Sequence, residues 1–395
     1  MLHIKLIGIS SYDSKNEIHT QKTRIHCKIF RPTEIDAKLI SAWADLEARA
    51  SVPNAFLSPY FVLPAIKHLV SPDNVFGVFV EKETTSIPSL VGVAFFKVGK
   101  PTRRFPLPHL EAFESIHSYL SGFLIDREYA SDARRILYGW LAEKNHQWHG
   151  LYINNCPTED LFTEEARRIA SDFAMQWTTY ENWQRAVLYP KNFDGIPISL
   201  PSKHALKDYQ RLIRHLQAAG HFEWILLRGN EPLDKSIDEF IRLEHMGWKG
   251  EKGTSLYSNP NHLRFFQEMA KGFNQAGRLF FTEIRLDGAR ISSTANLISG
   301  RAGFGFKMGW DPQYARYSPG IVNVTKIMEH GKELLGDLDY IDSSTTPESY
   351  IRKIWPGGRN LVEGMLSLST LGKTVISSLS AAKKLKTTFF AMAKR

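Results

Sequence analysis

Along the chain the spacing of apolar side chains changes from segment to segment, and the changes come in the same order twice. Residues 36–49 predict a helix, and Ser58-Pro59-Tyr60 opens a second one through Leu69. Two β-rich runs follow, Val75–Val80 and Leu90–Phe96. After a Pro-rich insertion from Pro101 to Pro108 come a third run at Tyr119–Ile125, a helix from about Ser131 to Lys144 and a strand at Gly150–Asn154. The second half predicts a helix over Ser236–Glu244 and another opened by Asn259-Pro260, with Leu263, Phe266 and Met269 on one face. Strands at Arg278–Ile284, Ile291–Ile298 and Gly303–Trp310 come next, then a helix from Pro319-Gly320 to Leu335 and a strand at Leu338–Asp342.

Each half therefore reads helix, helix, three strands, helix, strand, and such a repeat is the first thing to seek in a chain of this length. Asp287-Gly288 between two β-rich runs predicts an antiparallel hairpin. The later strand, helix, strand segment predicts a parallel crossover. The expected class is α/β, with α+β mixed sheets: two tandem units, each a mixed sheet of antiparallel strands ending in a βαβ crossover and flanked by helices. The units are expected at residues 1–200 and 201–363, bridged by a helix at about His204–Ala219, with a tail over 364–395. Met1–Ser10 predicts a strand, its apolar stretch being too short for a secretory segment.

Charge alters this picture at one end. The net charge is +9, but Lys373, Lys383, Lys384, Lys386, Lys394 and Arg395 lie between Gly364 and Arg395 with no acidic residue, leaving +3 elsewhere. A duplex-binding domain would concentrate its basic residues on a folded face, so no DNA partner is expected. In the tail, Leu368, Leu371, Val375, Ile376, Leu379, Ala382, Leu385, Phe389 and Phe390 recur mostly every three or four residues. That pattern fits peripheral contact with an anionic membrane and equally a C-terminal helix packed on its own domain, since Ser367, Ser369, Ser377, Ser378 and Ser380 dilute the apolar face. No window reaches the roughly 18 to 20 apolar residues of a bilayer-spanning helix. Two cysteines, Cys27 and Cys156, make neither a disulfide framework nor a four-ligand zinc site, and a reducing cytoplasmic setting, with contact at the inner membrane surface through the tail, is the expectation.

Four stretches carry a family resemblance: Leu243–Gly250 with Gly253-Thr254, Ala276–Leu279, Gly305–Asp311 leading into Tyr314–Gly320, and Asp342–Trp355 with Pro347. Over about 115 residues their order and spacing resemble the GNAT acyltransferase superfamily, in its CelD/BcsL-type acetyltransferase branch, related to the Fem aminoacyltransferases. The resemblance implies tandem GNAT-like domains and acyl transfer from acetyl-CoA or another acyl-CoA. It also implies that one copy keeps the cofactor site while the other shapes an acceptor groove. The first half offers only Asp126–Ser131 where the second has Arg316–Gly320.

Such chemistry needs a pyrophosphate site, a pantetheine slot, an oxyanion donor, a base for the incoming ammonium and an acid for the leaving thiolate. Tyr314–Gly320 lies between a strand and a helix, where N–H groups face phosphate, with Ser318 as N-cap, Tyr317 beside it and Arg316 adding charge; a plain capped turn is the alternative. Lys307, Met308 and Gly309 form the strand beside the slot, glycines there permitting a bulge or close ligand approach, and Lys307 neutralises charge on the acceptor; a glycine-softened core strand reads equally well. Glu244 and His245 are candidates to orient or deprotonate the acceptor, with Trp248 and Lys249 lining its site, against the plain role of a helix C-terminus. Asp311 competes as base, with Tyr314 and Asp342 on the substrate side. Tyr350 matches the place where many GNAT enzymes keep the tyrosine that protonates the thiolate.

His146-x-x-His149 lacks companion ligands, so no metal is expected, and no Gly-x-Ser-x-Gly elbow points to a hydrolase. The expected activity is CoA-dependent acyl transfer, in particular N-acetylation, to a small-molecule, glycan or lipid-linked acceptor of the cell envelope or exopolysaccharide by direct attack on the thioester. A Fem-like aminoacyl transferase and a non-catalytic GNAT-like scaffold of polysaccharide machinery remain the alternatives.

Overall fold

A computed structural model describes residues 18–20, 23–83, 89–143, 147–192, 203–229, 233–379 and 381. The first half runs β1 (Ile18–Thr20), β2 (Thr23–Phe30), α1 (Ala37–Arg49), α2 (Pro59–Leu69), β3 (Val75–Lys82), β4 (Ser89–Gly99), β5 (His109–Ala112), β6 (Leu124–Ile125), α3 (Ala130–Leu141), β7 (Gly150–Pro157), α4 (Thr158–Leu161), α5 (Glu164–Asp172) and β8 (Gln176–Leu188). The second runs α6 (Lys203–Ala219), β9 (Phe222–Arg228), α7 (Asp234–Met246), α8 (Trp248–Glu251), α9 (Pro260–Gln275), β10 (Leu279–Leu286), β11 (Ala289–Ser299), β12 (Ala302–Trp310), α10 (Pro319–Leu335), β13 (Tyr340–Asp342) and β14 (Gly357–Ser367). The elements open where local chemistry dictates. Asp36 caps α1 by accepting from Leu39 N–H at 2.8 Å, Asn259 caps α9 with Pro260 behind it, and Asp287-Gly288 turns the β10–β11 hairpin with φ of 50° and 77°.

Among the described residues these strands join in one mixed sheet, in the order β1-β2-β3-β4-β5-β7-β14-β8-β13-β12-β11-β10-β9, with β6 beside β4. Each half contributes antiparallel strands and one parallel pair, β5/β7 and β12/β13, so the second crossover joins the expected strands and the first starts from β5 in place of the Tyr119–Ile125 run. The halves also exchange strands. β14, from the end of the second half, lies between β7 and β8, and β8, from the first half, is the outer neighbour of β13 through Ile341↔Leu188 and Asp342↔Val187.

This exchange bears on the expected boundaries: a cut at 363/364 falls inside β14, and a cut at 200/201 parts β8 from its partners β13 and β14. The third run also differs. The edge strand after the Pro-rich insertion is β5, whereas Tyr119–Ile125 turns at Ser121-Gly122, where Gly122 has φ of 112°, and gives only the two residues of β6. The expected strand at Met1–Ser10 lies outside the described residues.

One face of the sheet buries a core common to both halves, under α1, α2, α7 and α9, where Phe61 meets Phe265 at 5.3 Å and Tyr60 meets Phe273 at 5.8 Å. The opposite face carries two separate cores, one under α3 and one under α10 with α6. The near part of the tail, residues 370–379, is helical, and its Val375 and Ile376 pack against Phe105 and Met365. Leu371 and Leu379 stay exposed, and Lys383 onward lies outside the described residues.

Candidate functional site

The site begins where β12 and β13 part. They pair at Ala302↔Tyr340, Gly303↔Ile341 and Phe304↔Asp342, after which β12 continues to Trp310 while β13 has ended. Gly305 permits the last close approach, since a Cβ there would lie 2.9 Å from the Ser343 carbonyl. The register against β11 then shifts, with Asn296 opposite Gly305 and Ala295 opposite Lys307, so Phe306 is an extra residue. A bulge of this kind reverses which side chains face which side. Phe304 and Phe306 enter the shared core and Lys307 points to the same face, while Met308 packs toward α10.

On the α10 face, Met308, Gly320 and Tyr350 converge. The Tyr350 Oη lies 3.6 Å from Met308 Sδ, and a Cβ at Gly320 would be 2.7 Å from that sulfur and 3.5 Å from the phenol. Ser318 occupies the cap of α10 in left-handed conformation, φ 49°, but its hydroxyl makes no capping bond, so the first-turn N–H groups have no side-chain partner there. A helix start in that condition favours an anion. Arg316 is exposed two residues earlier, its guanidinium 4.6 Å over the Tyr317 ring and bonded to the Tyr317 hydroxyl at 2.6 Å; Tyr314 flanks Tyr317. Protein around the Tyr350 ring pushes its phenol up to about 12, an effect that solvent tempers because the residue keeps 39% of its surface exposed. The group thus combines a helix start without a side-chain cap, close packing of Met308 and Tyr350 against Gly320, and a protonated phenol.

On the opposite face Lys307 meets the first half. Its Nζ lies 3.4 Å from Tyr119 Oη and 5.6 Å from the Phe306 ring centre. Burial, against the pull of Glu244, lowers the Lys307 ammonium, and burial pushes the Tyr119 phenol up to about 12. His117 stacks on Phe265 at 5.4 Å and stands 4.8 Å from His262. Burial, and then the charges of Lys307, His262 and Lys249, pull its imidazole down to about 3. Sequence patterns had not pointed to His117, Tyr119 or His262, which belong to no motif and meet only because the halves share a core.

Several expected residues do other work. Glu244 is buried and closed, its Oε1 accepting from Lys249 Nζ at 3.1 Å and its Oε2 from Leu256 N–H at 2.8 Å; Lys249 also donates to the Met308 carbonyl at 3.1 Å. The pair braces β12 beneath the slot. Gly309 makes room for α7 rather than for a ligand, a Cβ there lying 2.5 Å from Glu244 N. His245, one residue on, is exposed and bonds Ser255 Oγ at 2.8 Å, away from the slot. Asp311 caps the short helix Pro312–Tyr317 by accepting from Gln313 N–H. Asp342 is fully buried, held by Arg359 at 3.2 Å, by Ser344 N–H at 2.8 Å and near Arg185 at 3.7 Å, so it ties the exchanged strands and reaches no acceptor. Trp248 opens α8, and its side chain lies outside what is described. The expected carboxylate bases are thus engaged in structure.

The first half has the same geometry with its slot filled. β5 and β7 pair at Leu110↔Leu151 and Glu111↔Tyr152, and beyond them Glu114 accepts from Asn154 at 3.2 Å and from Asn155 at 3.0 Å. The loop into α3 is tied to α1 by Arg49 on Asp126 at 2.5 Å and by the Ala50–Asp126 bridge. Among the described residues no group of three or more His, Cys, Asp or Glu is placed to hold a metal.

Comparison with known proteins agrees with this geometry. A family model described as an acetyltransferase (GNAT) domain matches residues 203–352. FemX has a similar structure, with TM-score 0.55 at 10% identity over 83% of this chain and 95% of that one. A conserved protein of unknown function from Bacteroides thetaiotaomicron gives 0.52 at 11% over 84% and 97%, and L-PGS from Bacillus licheniformis 0.50 at 12% over 89% and 97%. Identities this low speak for the fold alone. No curated protein matches the sequence. The domain match falls on the same region as the ordered motifs between Leu243 and Trp355, so residues 203–352 are similar to an acetyltransferase (GNAT) domain, and the chain shares its fold with FemX.

Proposed function

We propose that the protein transfers an acyl group, acetyl in the first instance, from acyl-CoA to an amine of a cell-envelope or exopolysaccharide intermediate. The observation that carries this reading is the convergence of an uncapped helix start, Gly320, Met308 and the Tyr350 phenol where β12 and β13 separate. Acyl-CoA supplies the activated acyl carbon. The start of α10 and Arg316 hold its phosphates, and Gly320, without a side chain, lets Met308 and Tyr350 stand close to that helix start. The acceptor enters from the Lys307 face. As its nitrogen bonds the acyl carbon and the carbon–sulfur bond breaks, Tyr350 returns a proton to the sulfur and the nitrogen loses one to solvent. Neither Cys27 nor Cys156 takes part: both are buried, and burial drives both thiols upward.

Native mass spectrometry and thermal shift with acetyl-CoA, longer acyl-CoAs and free CoA test the reading. Binding is expected, and Arg316→Ala should weaken it roughly tenfold to hundredfold by losing a charge-assisted contact of about 1.5–3 kcal/mol. Absence of binding to any of these, with transfer from an aminoacyl-tRNA instead, would overturn it in favour of Fem-like aminoacyl transfer, the reading that the fold shared with FemX supports second. The same acceptor class leads us to place the protein in the cytoplasm, with the basic tail at the membrane surface.

A further inference from the structure

Behind β12, at the seam between the halves, cationic and neutral nitrogen groups gather with little to balance them. Lys307, Lys249, His117 and His262 lie close enough to act on one another. The carboxylate whose field reaches Lys307 is Glu244, and both its oxygens are already engaged, by Lys249 and by Leu256 N–H. Among the described residues Lys307 forms no ion pair. His117 is 6% exposed, and its Nε2 has no hydrogen-bond partner. A buried polar atom left in that state needs an explanation.

We infer that the acceptor carries an anionic group, a carboxylate or a phosphate monoester, that seats between Lys307 Nζ and His117 at this seam. This rests on the acyl-transfer reading, which assigns the Lys307 face to the acceptor. An ammonium placed there would meet like charge, whereas a neutral glycan could hydrogen-bond both groups but would leave the Lys307 charge without a counter-ion. An anion corrects both, because it offsets the desolvation of the lysine and accepts a hydrogen bond from the unpartnered Nε2–H of the neutral imidazole. Phe265 and Phe306 wall the seam and keep the local dielectric low, which strengthens such a contact. Tyr119 supplies a hydroxyl beside Lys307, and Ile116, 72% exposed, stands next to His117 in the chain where the rest of an acceptor can lie.

The test uses the whole protein with carbon-13 histidine labels and inorganic phosphate as probe. The groups facing His117 are Lys307, His262, Lys249, Tyr119 and, behind Lys249, Glu244. Phosphate is expected to shift the His117 and His262 ring signals saturably and to raise the proton affinity of His117 by about tenfold or more, one pKa unit. Lys307→Met should abolish the response while acetyl-CoA binding, read separately by thermal shift, persists. Phosphate bound at α10 instead would leave the His117 ring unmoved. An unmoved ring, or a response unchanged in Lys307→Met, overturns the inference. If Lys307→Met does not fold, His117→Gln asks the same question, with loss of the saturable His262 shift expected and its retention overturning. A phosphate response without acetyl-CoA binding would sink the proposed function and leave the anion site, and the reverse outcome would do the opposite.

Discussion

Replacing Gly320 by alanine separates a ligand role from a packing role. The added Cβ would lie 2.7 Å from Met308 Sδ, 3.5 Å from Tyr350 Oη and 3.7 Å from Trp310 Cδ1. The tight contact is the thioether of a flexible side chain, which can swing aside at a cost of roughly 0.5–1.5 kcal/mol if it leaves its rotamer. Against that, alanine gains about 1 kcal/mol over glycine in a helix and restricts the unfolded chain. The two effects nearly cancel, so stability should change by less than about 1 kcal/mol. Binding should not be spared. The new methyl and the displaced Met308 occupy the space between the α10 start and Tyr350, holding a phosphate-bearing ligand off the first-turn N–H groups. Losing one charge-assisted hydrogen bond, about 1.5–3 kcal/mol, weakens acetyl-CoA roughly tenfold to hundredfold. Calorimetric titration with acetyl-CoA and urea unfolding of the same samples give both numbers. Normal stability with unchanged affinity refutes the placement of the ligand, and destabilisation beyond about 3 kcal/mol shows that Gly320 serves packing instead.

Tyr350→Phe is expected to lower kcat by about a hundredfold or more and leave the acetyl-CoA Kd unchanged; with the phenol pushed up to about 12, its ionisation should not limit the wild-type rate below that pH, and an unaltered kcat removes Tyr350 as the acid. Burial, opposed by Arg278, lifts the Glu47 carboxyl from 4.5 to about 7, so the folded state binds the proton more tightly than the unfolded one. Its contribution is full below about pH 4.5 and fades as pH rises to about 7, amounting to at most about 3 kcal/mol. Glu47→Gln should flatten the urea-unfolding free energy across that window, and a persisting slope would contradict the assignment. Sedimentation with anionic and neutral vesicles should compare the whole chain with one ending at Leu379, because an end at Glu363 would cut β14. The shorter form loses five basic residues, each worth about 1 kcal/mol at an anionic surface; equal behaviour of the two forms ends the membrane reading. A single-turnover quench should trap no acyl group on the protein, and an acylated side chain would replace direct attack with a covalent route.

The sequence by itself was sufficient for what local chemistry specifies. Helical spacing and caps located α1, α2, α3, α7, α9 and α10, the Asp287-Gly288 turn located its hairpin, and the repeat revealed two crossovers. The segment from Tyr314 to Gly320 lies between a strand and the start of α10, as its turn chemistry suggested, and the glycines around Phe306 accompany the bulge in β12. Only the tertiary structure decided which residues share a face or a sheet. The bulge at Phe306 sends Lys307 away from Met308, which no count of alternating residues foretells, because one extra residue reverses the alternation. Glu244, Asp311 and Asp342 have the chemistry of a base but are engaged by Lys249, Gln313 and Arg359, partners whose proximity follows from packing. The exchange of β8 and β14, and with it the meeting of His117 and Tyr119 with Lys307, depends on pairing between residues more than a hundred positions apart. Such pairing leaves no periodic trace in either strand, since each one records only its own alternation and not the identity of its neighbour.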